Sequence, residues 1–177
     1  MKSRKKVNIA LIIVGIIIVI VCLLVLYFNE REKCHVEPKE ITYSVGGGDV
    51  YSYTLYSITE DTLTYYDFTQ YGLENDYKFN YFKDPLPPEG TYEKKEWKMQ
   101  EGSWDKIVVA LQNNLFIEYP DTVGSVVMDG GYTGICVVTD DEIYHSSAYV
   151  NMNGMGLRYN GFKRVRKAIR EAIDEAR

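Results

Sequence analysis

The residues best suited to do chemistry lie in the last third of the chain. They are His145-Ser146-Ser147, the acids Asp129, Asp140, Asp141 and Glu142, and the cations Lys163, Arg164, Arg166, Lys167 and Arg170. A serine nucleophile needs a base within hydrogen-bond reach and a third group to orient that base. His145 and Ser146 adjoin in sequence that reads as a strand, so their side chains point to opposite faces. Ser147 shares the face of His145 but stands two residues on, and no G-x-S-x-G elbow is present. The other histidine, His35, falls in a polar stalk. His145 therefore reads as a strand-surface residue rather than a catalytic base.

The four acids offer hard oxygen ligands of the kind Ca²⁺ takes. No D-x-[DN]-x-[DN]-G loop frames them, and they fall at expected turns, where Asp is favoured for its own hydrogen bonding. Paired carboxylates for glycoside hydrolysis need no proximity in sequence, which keeps an envelope hydrolase with a dispersed carboxylate site as an alternative function. No catalytic residue, metal ligand or cofactor-binding residue is assigned, and no cofactor is expected. CxxC and paired Cys/His spacings are absent, which argues against structural zinc. Gly46-Gly47-Gly48 lacks the Lys and Ser/Thr of a phosphate loop and is followed by strand-like sequence.

The five cations open the last helix, and Glu171, Asp174 and Glu175 close it. This order opposes the helix macrodipole, which favours acids first and bases last. A basic patch on an acidic domain is a candidate contact for an anionic wall polymer or an acidic protein partner. The simpler reading is a solvated helix face.

The position of these groups is governed by the start of the chain. Lys2, Arg4, Lys5 and Lys6 precede an uncharged apolar run of 20 residues from Ile9 to Phe28. Twenty helical residues cover roughly 30 Å, the thickness of a bilayer's hydrocarbon core. A cleaved secretory signal has a shorter core and a small-x-small site, whereas this run ends in Leu26, Tyr27, Phe28, Asn29 and Glu30. Cys22 follows Val19, Ile20 and Val21, which does not fit a lipoprotein signal. Residues 7–28 thus read as an uncleaved signal anchor held in the lipid bilayer. Cationic flanks stay cytoplasmic, which leaves a basic tail at 1–6 inside and everything beyond residue 28 outside. The expected location is the cell membrane, single-pass, with the C-terminal domain extracytoplasmic.

Residues 29–177 carry 16 basic and 25 acidic side chains, a net of −9. That balance argues against nucleic acid as a partner, because such binding rests on neutralising phosphates. Fifteen of the 16 Tyr lie beyond the anchor. Tyr favours strands and half-buried positions, and Tyr-rich faces also bind sugars and peptides. Cys34 and Cys136 form a candidate disulfide in an oxidising exterior; alternatively Cys136 is a small buried hydrophobe and Cys34 is free.

Residues 29–40 read as a stalk and 41–177 as one domain. Strands are expected at Ile41–Val45, Val50–Ser57, Leu63–Phe68 and Tyr77–Phe82, with irregular structure over Lys83–Thr91. A helix is expected from Ser103, acting as N-cap, through Trp104, Ile107, Val108, Leu111 and Leu115. Tyr132–Thr139 and Glu142–Val150 pair around Asp140-Asp141, Asn151–Asn160 reads as a loop, and Gly161 precedes the last helix. Ser57-Ile58-Thr59-Glu60-Asp61-Thr62-Leu63 and Val137-Val138-Thr139-Asp140-Asp141-Glu142-Ile143 rhyme, either as a duplicated unit or as a common hairpin turn. The expected fold is α+β: an antiparallel sheet of two or more hairpins with two amphipathic helices on one face. The expected core is Leu55, Leu63, Trp104, Ile107, Leu111, Val137, Ile143, Phe162, Val165 and Ile169.

The sheet-then-helix pattern resembles small extracytoplasmic domains of uncharacterised membrane-anchored proteins of Gram-positive bacteria. Tyr51-Ser52-Tyr53-Thr54-Leu55, Leu63-Thr64-Tyr65-Tyr66-Asp67, Asp129-Gly130-Gly131-Tyr132, Tyr144-His145-Ser146-Ser147 and Gly161-Phe162 carry the resemblance, over about residues 45–175. The resemblance implies fold class and location and no activity. The leading functional expectation is a non-catalytic binding module of the cell envelope. Besides the hydrolase, a second alternative is the exterior subunit of a membrane protein complex.

Overall fold

The computed structural model describes residues 13–26, 35–46, 53–68, 92–124, 131–149 and 156–177. The chain divides into two units, Met1–His35 and Val36–Arg177. In the first, residues 13–26 form a helix, α1, with every side chain exposed. Among the described residues no helix is long and apolar enough to cross a membrane. The ends of the expected span, 7–12 and 27–28, lie outside them.

The second unit is α+β. Its strands are β1 (Glu40–Gly46), β2 (Tyr53–Ile58), β3 (Thr62–Asp67), β4 (Glu93–Lys98), β5 (Tyr132–Val138) and β6 (Ile143–Tyr149). Helix α2 (Ser103–Asn113) and a 3-10 turn (Phe116–Glu118) lie between β4 and β5, and α3 (Leu157–Ala176) follows β6. All strand pairs are antiparallel, in the order β4-β3-β2-β1-β5-β6. Chain order and sheet order thus differ at one place: β1 sits between β2 and β5.

The registers align Trp97, Leu63, Ile58, Ile41, Val137 and Tyr144 in one row across the sheet. Alternation puts Tyr43, Tyr56, Ile135 and Ala148 on the same face. This face joins Ile107 and Leu111 of α2 and Tyr159, Phe162, Val165, Ile169, Ala172 and Ile173 of α3 in one buried cluster. The recurrence at three and four residues in α3 gives it a continuous apolar stripe. Helix packing is fixed further by Lys106 and Ser103 of α2, both of which donate to the Glu175 carboxylate.

Several boundaries differ from those read in the sequence. Ser103 is not the N-cap; Gly102, with φ 76°, occupies that position, and the Ser103 hydroxyl instead bonds Glu175. Leu115 falls beyond α2, in a left-handed conformation at φ 53° that starts the 3-10 turn. Gly161 does not precede the last helix; α3 begins at Leu157 and Gly161 lies buried inside it. A Cβ at Gly161 would stand 1.9 Å from the Tyr119 hydroxyl, so the helix carries glycine there to let Tyr119 approach.

β4 has no counterpart among the expected strands. Its sequence Glu93-Lys94-Lys95-Glu96-Trp97-Lys98 is charged at five of six positions because it is an exposed edge, where charge discourages pairing with another chain. Ile143 is 67% exposed rather than core, since it opens the other edge strand on the face away from the helices. Trp104 is half-buried, whereas the other expected core residues are buried. Leu55 is buried on the face opposite the helices. The expected strand Tyr77–Phe82 and the Lys83–Thr91 break lie outside the described residues. Val36, expected in the stalk, is buried, and its carbonyl accepts from Gln112 Nε2 at 3.2 Å.

The rhyming hairpins share one turn. Thr59 N–H donates to the Thr62 carbonyl and Thr59 Oγ1 accepts from Thr62 N–H; Thr139 does the same with Glu142. The repeat in sequence is this threonine-closed turn.

Candidate anion-binding site

Helix α3 crosses the sheet, and its apolar stripe is flanked by cations. Arg166 and Arg170, one turn apart, reach over Tyr43 on β1. Together with Tyr56 of β2 and Arg177 they line a hollow of about 430 Å³ whose rim also carries Asp174. The ring centroids of Tyr43 and Tyr56 stand 6.1 Å apart, and Tyr65 of β3 continues the row at 5.1 Å from Tyr56. The hollow therefore has an aromatic floor and guanidinium walls. Its volume falls in the range of small-ligand sites, about 300–1,000 Å³.

The electrostatics of the hollow are positive. Burial pushes the Tyr43 phenol above its ordinary value, and the charges of Arg166 and Arg170 pull it part of the way back. Among the described residues no carboxylate lies within ion-pair distance of either arginine. Arg177 caps the C-terminal end of α3: its guanidinium lies 5.7 Å from the centre of the Trp97 ring and its Nη1 donates to the Tyr56 hydroxyl at 3.5 Å. Guanidinium groups present several fixed donors and are the usual partners of phosphate and carboxylate oxygens.

The five cations singled out in the sequence thus have different surroundings. Arg166 and Arg170 share the tyrosine-floored hollow. Lys163 and Lys167 stand with them around a second, open hollow on the outer flank of α3. The Lys163 ammonium lies 4.9 Å above the Tyr159 ring, and Lys167 pairs with Glu171 at 3.5 Å. Arg164 is turned away and donates to Asn114 Oδ1 at the end of α2. Tyr43, Tyr56 and Arg177 were not in the expected set. Arg177 lies eleven residues beyond Arg166, about three helical turns on, so helical spacing alone places it on the same stripe. The two tyrosines come together only through strand pairing.

The other candidate groups have structural roles. Ser146 is buried and its hydroxyl donates to the Pro120 carbonyl, while Ser147 donates to the Asp121 carbonyl. Both serines hold the 120–123 segment along the β6 edge, where Val123 N–H also bonds the Ser147 carbonyl. His145 faces the other way from Ser146, across from Cys136 on β5. Burial pushes His145 below its ordinary value, opposed by Asp121. Cys136 is a free, buried thiol whose pKa is pushed up to about 11 by burial. Cys34, its candidate partner, lies outside the described residues, as does Asp129. Asp140 pairs with Lys39 at the surface. A further hollow of about 570 Å³ between the β2–β3 turn and the start of α2 is lined by acids, including Glu60, Asp61, Glu101 and Asp105. Among the described residues no three Asp, Glu, His or Cys side chains are grouped so as to hold a metal.

No protein-family model matches this chain, and no curated protein is similar to it.

Proposed function

We propose that this chain is a single-pass membrane-anchored protein whose extracytoplasmic domain binds, without catalysis, an anionic ligand of the cell envelope in the hollow between α3 and the β1–β2 strands. The observation that carries this reading is the arrival of Arg166, Arg170 and Arg177 around Tyr43 and Tyr56, with neither Arg166 nor Arg170 ion-paired among the described residues. A ligand that combines an anionic group with an apolar or hydroxylated face matches guanidinium walls over an aromatic floor. The anchor is supported by the uncharged run from Ile9 to Phe28 and by the four cations that precede it.

Two measurements test the reading. The first follows thermal unfolding of the full chain, in detergent, against inorganic phosphate. A ligand at a hundred times its Kd stabilises by about 2.7 kcal/mol, so the midpoint should rise with phosphate in the wild type and stay fixed in Arg166→Gln/Arg170→Gln. An equal response in both would remove the site. The second adds protease to intact cells: digestion of residues beyond Asn29, with the N-terminal tail protected, is the expected outcome. Protection of residues 41–177 would overturn the location.

A further inference from the structure

The tyrosine-floored hollow and the outer hollow share Arg166, Arg170 and Asp174. Arg166 and Arg170 therefore form a ridge with a binding surface on each side. We propose that a linear phosphodiester polymer of the cell envelope lies across this ridge, with one phosphate held by Arg166, Arg170 and Arg177 and the adjoining repeats on Lys163 and Lys167. The proposal rests on the anion-binding reading above and specifies its ligand.

The first argument is the extent of the charge. Lys163, Arg166, Lys167 and Arg170 stand together around the outer hollow, and Arg166 and Arg170 also line the inner one. Lys163 and Arg170 are seven residues apart, roughly 10 Å along the axis, which exceeds what one phosphate group touches. A single small anion would leave most of this potential unmatched, whereas a chain with a charge on every repeat follows it.

The second argument is direction. Arg166 and Arg170 enter the hollow from the body of α3, and Arg177 enters from the C-terminal end of the same helix, where its guanidinium also lies over the Trp97 ring of β4. The oxygens of a tetrahedral phosphate are spread in space and accept from donors on several sides, whereas those of a carboxylate lie in one plane. The third argument is how the track ends. Glu171 and Asp174 line the C-terminal end of the outer hollow, so on that flank of α3 the polymer's path runs from Arg170 toward Lys163. Engaging Lys167 costs little, because its pair with Glu171 joins side chains that are 76% and 57% exposed. Tyr43 and Tyr56 offer the non-ionic part of a repeat a surface to lie on.

The test titrates the full chain with poly(glycerol phosphate), inorganic phosphate, polyglutamate and a single-stranded oligonucleotide at several salt concentrations. Joining phosphates in one chain makes each later contact intramolecular, so poly(glycerol phosphate) should bind more tightly per phosphate than inorganic phosphate, by on the order of 10²-fold. Lys163→Gln/Lys167→Gln should lose most of that gain and keep inorganic phosphate binding. It should also lower the salt slope by about 1 for each lysine that touches a phosphate. Arg166→Gln/Arg170→Gln should lose both ligands. Unchanged melting curves without ligand would show that the variants fold. Equal affinity per phosphate for polymer and monomer would overturn this inference and leave the anion pocket standing. Failure of inorganic phosphate to bind the wild type would overturn the pocket itself. Tighter binding of polyglutamate or of the oligonucleotide would overturn the assignment to an envelope phosphodiester.

Discussion

Replacing Gly161 by alanine sets two effects of known sign against each other. In a helix interior, alanine is favoured over glycine by about 1 kcal/mol. The new Cβ would stand 1.9 Å from the Tyr119 hydroxyl, 3.2 Å from its Cζ and 3.3 Å from the Asn114 Cβ. The first contact cannot persist, so the Tyr119 ring must move. That ring is half-buried and packs at 5.4 Å from Phe116, which itself lies 6.5 Å from Phe162 of α3. Moving it disturbs a small aromatic stack, and overpacking of this kind costs about 1–3 kcal/mol. Gly161→Ala alone is expected to fall between neutral and about 2 kcal/mol destabilising, after the propensity gain is subtracted. Tyr119→Phe deletes the colliding atom and leaves Cζ as the nearest at 3.2 Å. In that background the contacts at 3.2 and 3.3 Å remain tight, so the same alanine should be less destabilising than in the wild type, its gain capped at about 1 kcal/mol. A double-mutant cycle read by urea unfolding of the full chain gives the coupling, expected at about 1–3 kcal/mol with unchanged m-values. Alanine that stabilises equally in both backgrounds would show that Tyr119 does not require a glycine there.

Truncating Ile169 to alanine, at a fully buried position of the α3 stripe, should cost about 2–5 kcal/mol in chemical unfolding. Glu175 is held below the ordinary carboxylate range first by the Ser103 hydroxyl and then by Lys106. A depressed carboxylate contributes stability at neutral pH that is lost as pH falls below the carboxylate range, so Ser103→Ala should flatten the acid limb of a melting-temperature profile. Burial pushes the Cys136 thiol up to about 11. Its stabilising contribution is therefore complete below the ordinary thiol value and is lost as pH rises toward 11. At pH 8 iodoacetamide should modify Cys136 slowly in the folded chain and rapidly after denaturation; a thiol that stays blocked in denaturant until reductant is added would instead reveal a bridge to Cys34.

Much of the fold was legible because its signals are local. The α3 stripe from Phe162 to Ile173 shows helical spacing in the sequence, and the two Thr-acid turns mark the β2–β3 and β5–β6 hairpins. β4 was illegible because an edge strand that faces water has no apolar face to leave a pattern. Gly161 misled for a related reason: a glycine that admits a neighbour's side chain looks, in sequence, like one that ends a loop. The basic patch was read from charge alone, and only Arg166 and Arg170 of its five members reach the tyrosine floor. Which tyrosines form that floor depends on the β1–β2 register, which sets Tyr43 opposite Tyr56. The pairing that no local pattern encodes is β1 with β5, between segments about ninety residues apart.

The central place of β1 also sets the order in which the molecule can assemble. The β1–β5 ladder joins residues separated by about ninety positions, as in the bond from Ser44 Oγ to the Gly134 carbonyl. The β2–β3 and β5–β6 ladders join near neighbours and can zip from their turns. Loop closure must therefore precede the contacts that reward it, which places the slow step of folding at the docking of the β5–β6 hairpin onto β1. During synthesis β1 emerges first of all the strands and waits longest for its second neighbour. Until then it presents the Glu40–Gly46 backbone as an open edge at the middle of the future sheet, next to unfilled positions for Ile135 and Val137. A chain stopped short of residue 132 would keep that edge permanently, and self-association through β1 is the failure expected of it.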